Sequence, residues 1–229
     1  MNAIVTGATK GIGRAITIKL AEQGYNLAIC ARNKQELQDL ADGLQHTGRQ
    51  IVFLQTDCSI KAEVYEFCRF AAEKLGTVDV LVNNAGTFLP SSLLDEDDAA
   101  FELQQSLNVN SAYYITKYIG KLMRDRRSGH IFNICSVASK EIVKNAGSYT
   151  VTKTALLCLN NVLRQELAEY NVKVTAILPG STLTFSWTGT DIPADKFVQP
   201  EDIADTVSNI LKLSSGANVD EVMIRPIQF

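Results

Sequence analysis

The chain has 229 residues but only two histidines, His46 and His130, one tryptophan and five prolines. Its five cysteines (Cys30, Cys58, Cys68, Cys135 and Cys158) are scattered, odd in number, and form no C-x-x-C pair. Such a set gives no zinc-ligand spacing and no closed disulfide framework. Free thiols in a reducing cytoplasm are the simplest reading. No apolar run approaches the length of a membrane span. A basic tail and an arginine-rich stripe are both missing, and the net charge is −3, so neither nucleic acid nor an anionic membrane surface is an expected partner. The first strand is predicted within a residue or two of Met1, which leaves no place for a signal peptide, and a cytoplasmic location is expected. Repeats, low-complexity segments and breaks in composition are absent as well. With 46% hydrophobic and 21% charged residues, the chain has the composition of one large globular domain.

What the sequence does have is alternation. Short apolar runs at 2–6, 26–30, 51–56, 78–82, 130–135, 172–178 and 221–225 read as strands. Amphipathic stretches at 13–24, 33–46, 60–75, 148–170 and after Pro200 read as helices, and 95–126 as a broken helical region. This order predicts βαβ units and a parallel sheet, an α/β fold with strands covered on both faces. The segment 181–199 is longer than ordinary α/β connections and is expected to be functional or mobile.

"TGATKGIG" at 6–13 places Gly7, Gly11 and Gly13 between the first strand and the first helix. In that context a glycine loop brings backbone N–H groups and a helix N-terminus toward a pyrophosphate. The alternative is a tight strand–helix turn, but the position at the start of a βαβ unit favours a dinucleotide. NAD binders usually place an acid about 20 residues further on, at the ribose hydroxyls. Here the second strand ends Ala31-Arg32, without an acid. A guanidinium suits a 2′-phosphate, and Lys10 offers a second positive charge, so NADP(H) is favoured over NAD(H). Asp57 reads equally as an acceptor for the adenine amino group and as a cap for the next helix.

"YTVTK" sets Tyr149 and Lys153 one helical turn apart on one face. Alone, that is a surface pair as readily as half of an active site. Its company decides. The chain resembles the short-chain dehydrogenase/reductase family in an ordered set of motifs: "TGATKGIG" at 6–13, "NNAG" at 83–86, Asn108 in "LNVNSAYYITK", Ser136 in "NICSVAS", "YTVTK" at 149–153 and "PGSTLT" at 179–184. The resemblance runs from Thr6 to about Pro226.

It implies a single-domain Rossmann fold over 1–229, a doubly wound parallel seven-stranded sheet of order 3-2-1-4-5-6-7, and a homodimer or homotetramer. It implies an NADP(H)-dependent oxidoreductase interconverting a carbonyl compound and a secondary alcohol. Tyr149 would be the general acid/base, Ser136 the partner of the substrate oxygen, and Lys153 the holder of the nicotinamide ribose. Asn108 would anchor a water leading to Lys153; it is chosen over Asn110 by its spacing to Thr116 and Lys117. An ammonium beside a phenol favours the phenolate, which suits proton transfer near neutral pH.

Cofactor contacts carried over are Gly7, Thr9, Lys10, Gly11, Ile12, Gly13, Arg32, Asp57, Cys58, Asn84, Ala85, Gly86, Tyr149, Lys153, Pro179, Gly180, Thr182 and Thr184. No metal is called for. The loop 181–199, with Phe185, Trp187, Ile192 and Phe197, is the expected apolar substrate lid. The resemblance further implies that oligomer contacts fall on helices at about 106–126 and 149–169, through such residues as Tyr114, Tyr118, Leu156 and Leu163.

Two departures stand out. Cys135 occupies a position where the family commonly has a second serine. The C-terminal "EVMIRPIQF" lacks the glycine pair of many members, as in the branch with 3-hydroxy-acid dehydrogenases and sepiapterin-type reductases. The rival readings are a dinucleotide sensor or scaffold without turnover, and an extended epimerase or dehydratase, for whose added substrate domain 229 residues leave no room.

Overall fold

The computed structural model describes residues 1–227; Gln228 and Phe229, the end of the C-terminal motif, lie outside the described residues. Seven strands form one parallel sheet: β1 (Asn2–Thr6), β2 (Asn26–Ala31), β3 (Ile51–Gln55), β4 (Val80–Asn83), β5 (Gly129–Ile134), β6 (Val172–Pro179) and β7 (Glu221–Ile224). Their order is β3-β2-β1-β4-β5-β6-β7, as the resemblance implies. The helices are α1 (Gly11–Glu22), α2 (Lys34–Gly43), α3 (Lys61–Leu75), α4 (Asp98–Gln105), α5 (Ser111–Arg126), α6 (Gly147–Ala168) and α7 (Pro200–Leu211).

Successive residues of a strand point to opposite faces, and here each face meets its own core. Ala3 and Val5 of β1, with Leu27 and Ile29 of β2, join Ile16 and Leu20 of α1, Leu37 of α2, and Ile203 and Val207 of α7. The intervening Ile4, Ala28 and Cys30 join Val64 and Phe67 of α3 and Ile115, Ile119 and Met123 of α5. Two-sided burial explains why these strands read as continuous apolar runs rather than alternating ones. Each fully buried large side chain, such as Phe67 or Leu37, contributes about 1.5–3 kcal/mol through apolar area removed from water.

Helix ends follow local chemistry. Asn33 caps α2 by accepting from the Gln35 and Glu36 N–H groups at 2.9 and 3.2 Å. The stretch expected to be helical to residue 46 stops at Gly43 and turns through a short 3₁₀ segment, Gln45–Thr47, that Gly48 closes at φ 65°. Pro200 opens α7, where the Asp202 carboxylate reaches back to accept from the Gln199 N–H at 2.9 Å. The broken region at 95–126 is α4, then a π turn over Ser106–Asn110, then α5.

The chain reverses direction across the sheet between β1 and β4. Open α/β sheets bind ligands in the crevice outside the carboxyl strand ends at such a switch. The glycine loop follows β1 there, and Asn84–Gly86 follows β4.

Candidate active site

The glycine loop is shaped by contacts that only glycine permits. Gly7 and Gly11 have φ of +63° and +49°, which disfavour any residue with a Cβ. A Cβ on Gly13 would lie 2.2 Å from the Gly7 carbonyl oxygen and 2.4 Å from Asn84 Nδ2. Asn84 in turn donates to the Thr6 and Gly7 carbonyls at 2.9 and 3.1 Å, so the loop after β4 grips the loop after β1. Thr6 Oγ1 accepts from the Asn84 and Ala85 N–H groups, both at 3.0 Å. No side chain caps α1, whose first turn therefore presents open N–H donors. These features fit a pyrophosphate cradle.

A cleft of about 700 Å³ opens over this loop. Gly7, Thr9, Lys10, Gly11 and Ile12 form its floor, Arg32 and Cys58 one end, and Asn84, Ala85 and Gly86 the facing wall. Thr184 closes over it, with its methyl carbon 3.0 Å from where a Gly11 Cβ would sit. Sequence reasoning missed several wall residues: Asn33, Lys34, Gln35 and Glu36 at the start of α2, Gln55 ending β3 and Thr56 after it, Leu107 in the π turn, and Ser186, and it gave Phe185 to the substrate loop instead. Lys34 and Asn33 adjoin Arg32 in "CARNK", and that adjacency was the available signal.

Other expected cofactor residues stand outside this wall. The Asp57 carboxylate accepts from the Ser59 N–H at 2.9 Å and from its hydroxyl at 2.7 Å in a local turn; it does not cap α3, whose N-cap Ile60 makes no side-chain capping bond. Pro179 ends β6, and the Gly180 N–H donates to the Ile224 carbonyl at 2.7 Å. Thr182 is buried, donates to the Gly180 carbonyl at 3.0 Å, and forms a bridge with Val198. It ties the two ends of the 181–199 segment together rather than lining the cleft. Lys10 is not a spare charge: its ammonium lies 3.0 Å from Glu36 and 5.2 Å from the Phe185 ring centre.

The second cluster sits beside Gly86. A Cβ there would lie 2.9 Å from Asn108 Oδ1 and 3.5 Å from Lys153 Nζ. Asn108 is buried in the π turn, a helix distortion frequent at functional sites. Its amide clamps the Thr87 backbone in both directions, accepting from N–H at 2.8 Å and donating to the carbonyl at 3.0 Å. It also donates to Thr152 Oγ1 at 3.0 Å, between Tyr149 and Lys153 on α6.

Lys153 is buried and donates to the Ile134 carbonyl at 2.9 Å, while its ammonium lies 5.7 Å from the Tyr149 ring centre. An ammonium has three donors, so two remain for other partners. Phe88 meets the Tyr149 ring edge-on at 4.9 Å. Ser136 ends the β5 connection, its oxygen accepting from the Ala138 N–H at 3.1 Å. Ser139 Oγ then donates to the Lys153 carbonyl at 2.9 Å, tying the serine turn to α6. Of the aromatics in 181–199, Trp187 meets buried Phe197 at a tilt of 59° with ring centres 5.0 Å apart, whereas Phe185 is 72% exposed.

The model of the short chain dehydrogenase family matches residues 1–192. The chain belongs to that family. It is an oxidoreductase. An uncharacterized oxidoreductase of Staphylococcus aureus strain MRSA252 is 35% identical over 226 residues, covering 98% of this chain and 96% of that one. An alcohol dehydrogenase of the archaeon Thermococcus sibiricus, solved with 5-hydroxy-NADP, superimposes with a TM-score of 0.93 at 30% identity, covering 99% and 96% of the two chains. A metagenomic short-chain oxidoreductase solved with NADP gives 0.87 at 28% identity, covering 99% and 96%. Within this short-chain dehydrogenase, Cys135 is a small buried residue: burial pushes its thiol up to about 12, so no reactive thiolate forms there.

Proposed function

We propose that the protein is an NADP(H)-dependent oxidoreductase that interconverts a carbonyl compound and a secondary alcohol. The observation that carries this reading is the position of Gly86. It belongs both to the wall of the glycine-loop cleft and to the cluster of Asn108 and Lys153. A dinucleotide held over the loop thus ends beside Tyr149. The bound nicotinamide supplies or accepts the hydride.

The chain's own groups manage the oxygen. Tyr149 gives its phenolic proton to the carbonyl oxygen as reduction proceeds, and takes it back in oxidation. Ser136 donates to the same oxygen as charge builds on it. Lys153 has donors free for the ribose and puts a positive charge beside the phenol ring. Asn108 joins the Thr87 turn to α6 and so sets the spacing between the cleft wall and the Tyr149–Lys153 face.

The preference for NADP(H) rests on Arg32, which lines the cleft, is exposed, and has no ion-pair or side-chain hydrogen-bond partner among the described residues. The apolar Phe88, Leu93, Leu94, Ile142 and Phe185 are all exposed in the segments around Tyr149 and the lid, which suits a partly apolar substrate. A cytoplasmic location fits the free, mostly buried cysteines. Among the described residues no helix is long and apolar enough to cross a membrane.

A homo-oligomer is supported by Tyr113 and Leu122 on α5 and Val151 and Val162 on α6, each 43–48% exposed. Leu156 is buried, and Leu163, Tyr114 and Tyr118 pack against the core, so the interface falls on the former four instead.

A panel of carbonyl compounds assayed with NADPH and NADH by absorbance tests the reading. Tyr149→Phe keeps the ring against Phe88, so turnover is lost by at least about a hundredfold while dinucleotide affinity stays within about twofold. Near wild-type turnover in that variant rejects the proton-transfer role. Arg32→Asp shifts preference toward NADH; a wild-type protein that binds both dinucleotides equally rejects the reading of Arg32.

A further inference from the structure

The end of the cleft at α2 collects three cations and one acid. Lys10, Arg32 and Lys34 line it, and Glu36 is the single carboxylate in its wall. Glu36 sits in the first turn of α2, where the helix dipole favours an anion. Its carboxylate lies 3.0 Å from Lys10 Nζ. Lys10, with Thr9 and Asn33 adding hydrogen bonds, holds the Glu36 carboxyl below the usual carboxylate range. Arg32, two residues before Lys34, has no such anion. The resident acid therefore occupies the lysine that the glycine loop brings to this end of the cleft.

We infer that Glu36 is a specificity-determining residue: by holding Lys10, it acts as a built-in competitor for the 2′-phosphate and limits how strongly the cleft prefers a phosphorylated dinucleotide. This rests on the reading that the cleft takes NADP(H). A 2′-phosphate held by Arg32 gains the Lys10 ammonium only when that ammonium leaves Glu36. The unphosphorylated ribose makes no such demand. The carboxylate thus weakens one ligand and leaves the other almost untouched.

The test uses 2′,5′-ADP and 5′-AMP as probes, titrated into the intact protein by calorimetry. Glu36→Gln keeps the side-chain length and hydrogen-bonding capacity and removes the charge. We expect 2′,5′-ADP to bind about threefold to fivefold tighter to E36Q, the upper range of an exposed charge pair, and 5′-AMP to change by less than about twofold. In a Lys10→Met background the same substitution should gain less than about twofold, because no ammonium is left to release. Unchanged melting temperatures in both variants keep the comparison free of folding effects.

Equal tightening of both probes, no tightening of either, or a full gain without Lys10 overturns the inference. A wild-type protein that binds 5′-AMP as tightly as 2′,5′-ADP instead rejects the NADP(H) reading itself. That result is separable from a discriminating wild type in which E36Q changes nothing, which rejects Glu36 alone.

Discussion

Replacing Gly13 by alanine adds one methyl group where the glycine loop packs against the loop after β4. The added carbon would lie 2.2 Å from the Gly7 carbonyl oxygen and 2.4 Å from Asn84 Nδ2. Both partners are held: Gly7 in a left-handed turn, and Asn84 by its bonds to the Thr6 and Gly7 carbonyls. To admit the methyl, Asn84 has to give up those two hydrogen bonds, at about 1 kcal/mol each. Overpacking adds about 1–3 kcal/mol. Better helix propensity at this α1 position returns about 1 kcal/mol. The net is a loss of about 2–4 kcal/mol, which lowers the melting temperature by roughly 4–16 °C for a chain of this size. Dinucleotide affinity falls at least about tenfold, since the same shift moves the cradle.

Circular dichroism melts and a dinucleotide titration read both effects. Gly43→Ala is the control, because a Cβ there meets nothing within 4 Å and φ is ordinary for a helix. It should leave stability unchanged or raise it by less than about 1 kcal/mol. A Gly13→Ala protein that melts within a degree of wild type and binds dinucleotide normally would refute the cradle geometry.

Two further outcomes follow from buried titratable groups. Burial, aided by Lys173, holds His130 down to about 3, with its ring bonded to Thr175 Oγ1 at 2.8 Å and stacked on Phe132. Below about pH 6.5 the unfolded chain takes up a proton at His130 that the folded chain refuses, so stability present at neutral pH is lost as pH falls from 6.5 toward 3. The slope from this group is about 1.4 kcal/mol per pH unit, measured by urea melts between pH 6 and pH 4, and a His130→Asn variant should lose that part of the slope. For the thiols, Cys30, Cys58, Cys68 and Cys135 are buried and Cys158 is exposed. Burial pushes Cys68 and Cys135 up to about 12 and Cys30 well above the usual thiol range. Ellman's reagent should therefore titrate at most one thiol, Cys158, promptly in the native protein, slowed where α6 faces of two protomers meet, and five after denaturation; prompt reaction of two or more contradicts the buried placement.

Element type was legible wherever burial is two-sided and local. The run Ala3-Ile4-Val5 reads as a strand because both faces of β1 are covered, and the structure divides exactly those side chains between the two cores. The ends of β1 were legible too, since a glycine loop between β1 and α1 has few shapes it can take. Boundaries were less legible. Gly43 and Gly48 stop α2 earlier than its amphipathic pattern suggests, and the π turn at Asn108 is a distortion that no period of 3.6 reveals.

Long-range polar partners were not legible at all, and they arrange the site. Nothing in "TGATKGIG" says that Lys10 meets Glu36, because the two come together only when α2 folds back beside the loop. The same holds beneath the Tyr149–Lys153 face. Asn83 of β4 donates to Asn133 of β5 at 2.8 Å, and Asn133 donates to Asn160 of α6 at 2.9 Å, all three buried. Asn83 also donates to Thr116 of α5 at 2.9 Å. In sequence, Asn83 is only the first letter of "NNAG", and Asn133 and Asn160 attract no notice. Yet a buried amide donor left without a partner costs about 1–3 kcal/mol, so the Asn83 and Asn133 donors strongly favour the one arrangement that pairs them, though Asn83 Oδ1 itself accepts from no described residue. Apolar packing tolerates small slides of a helix over a sheet; a file of amides bonded end to end does not. That ladder joins β4, which leads into Asn84–Gly86, to β5, which leads into Ser136, and to α6, which carries Tyr149 and Lys153. The register between the cleft and the Tyr149–Lys153 face is thus set by polar contacts far apart in the chain, below the reach of periodicity.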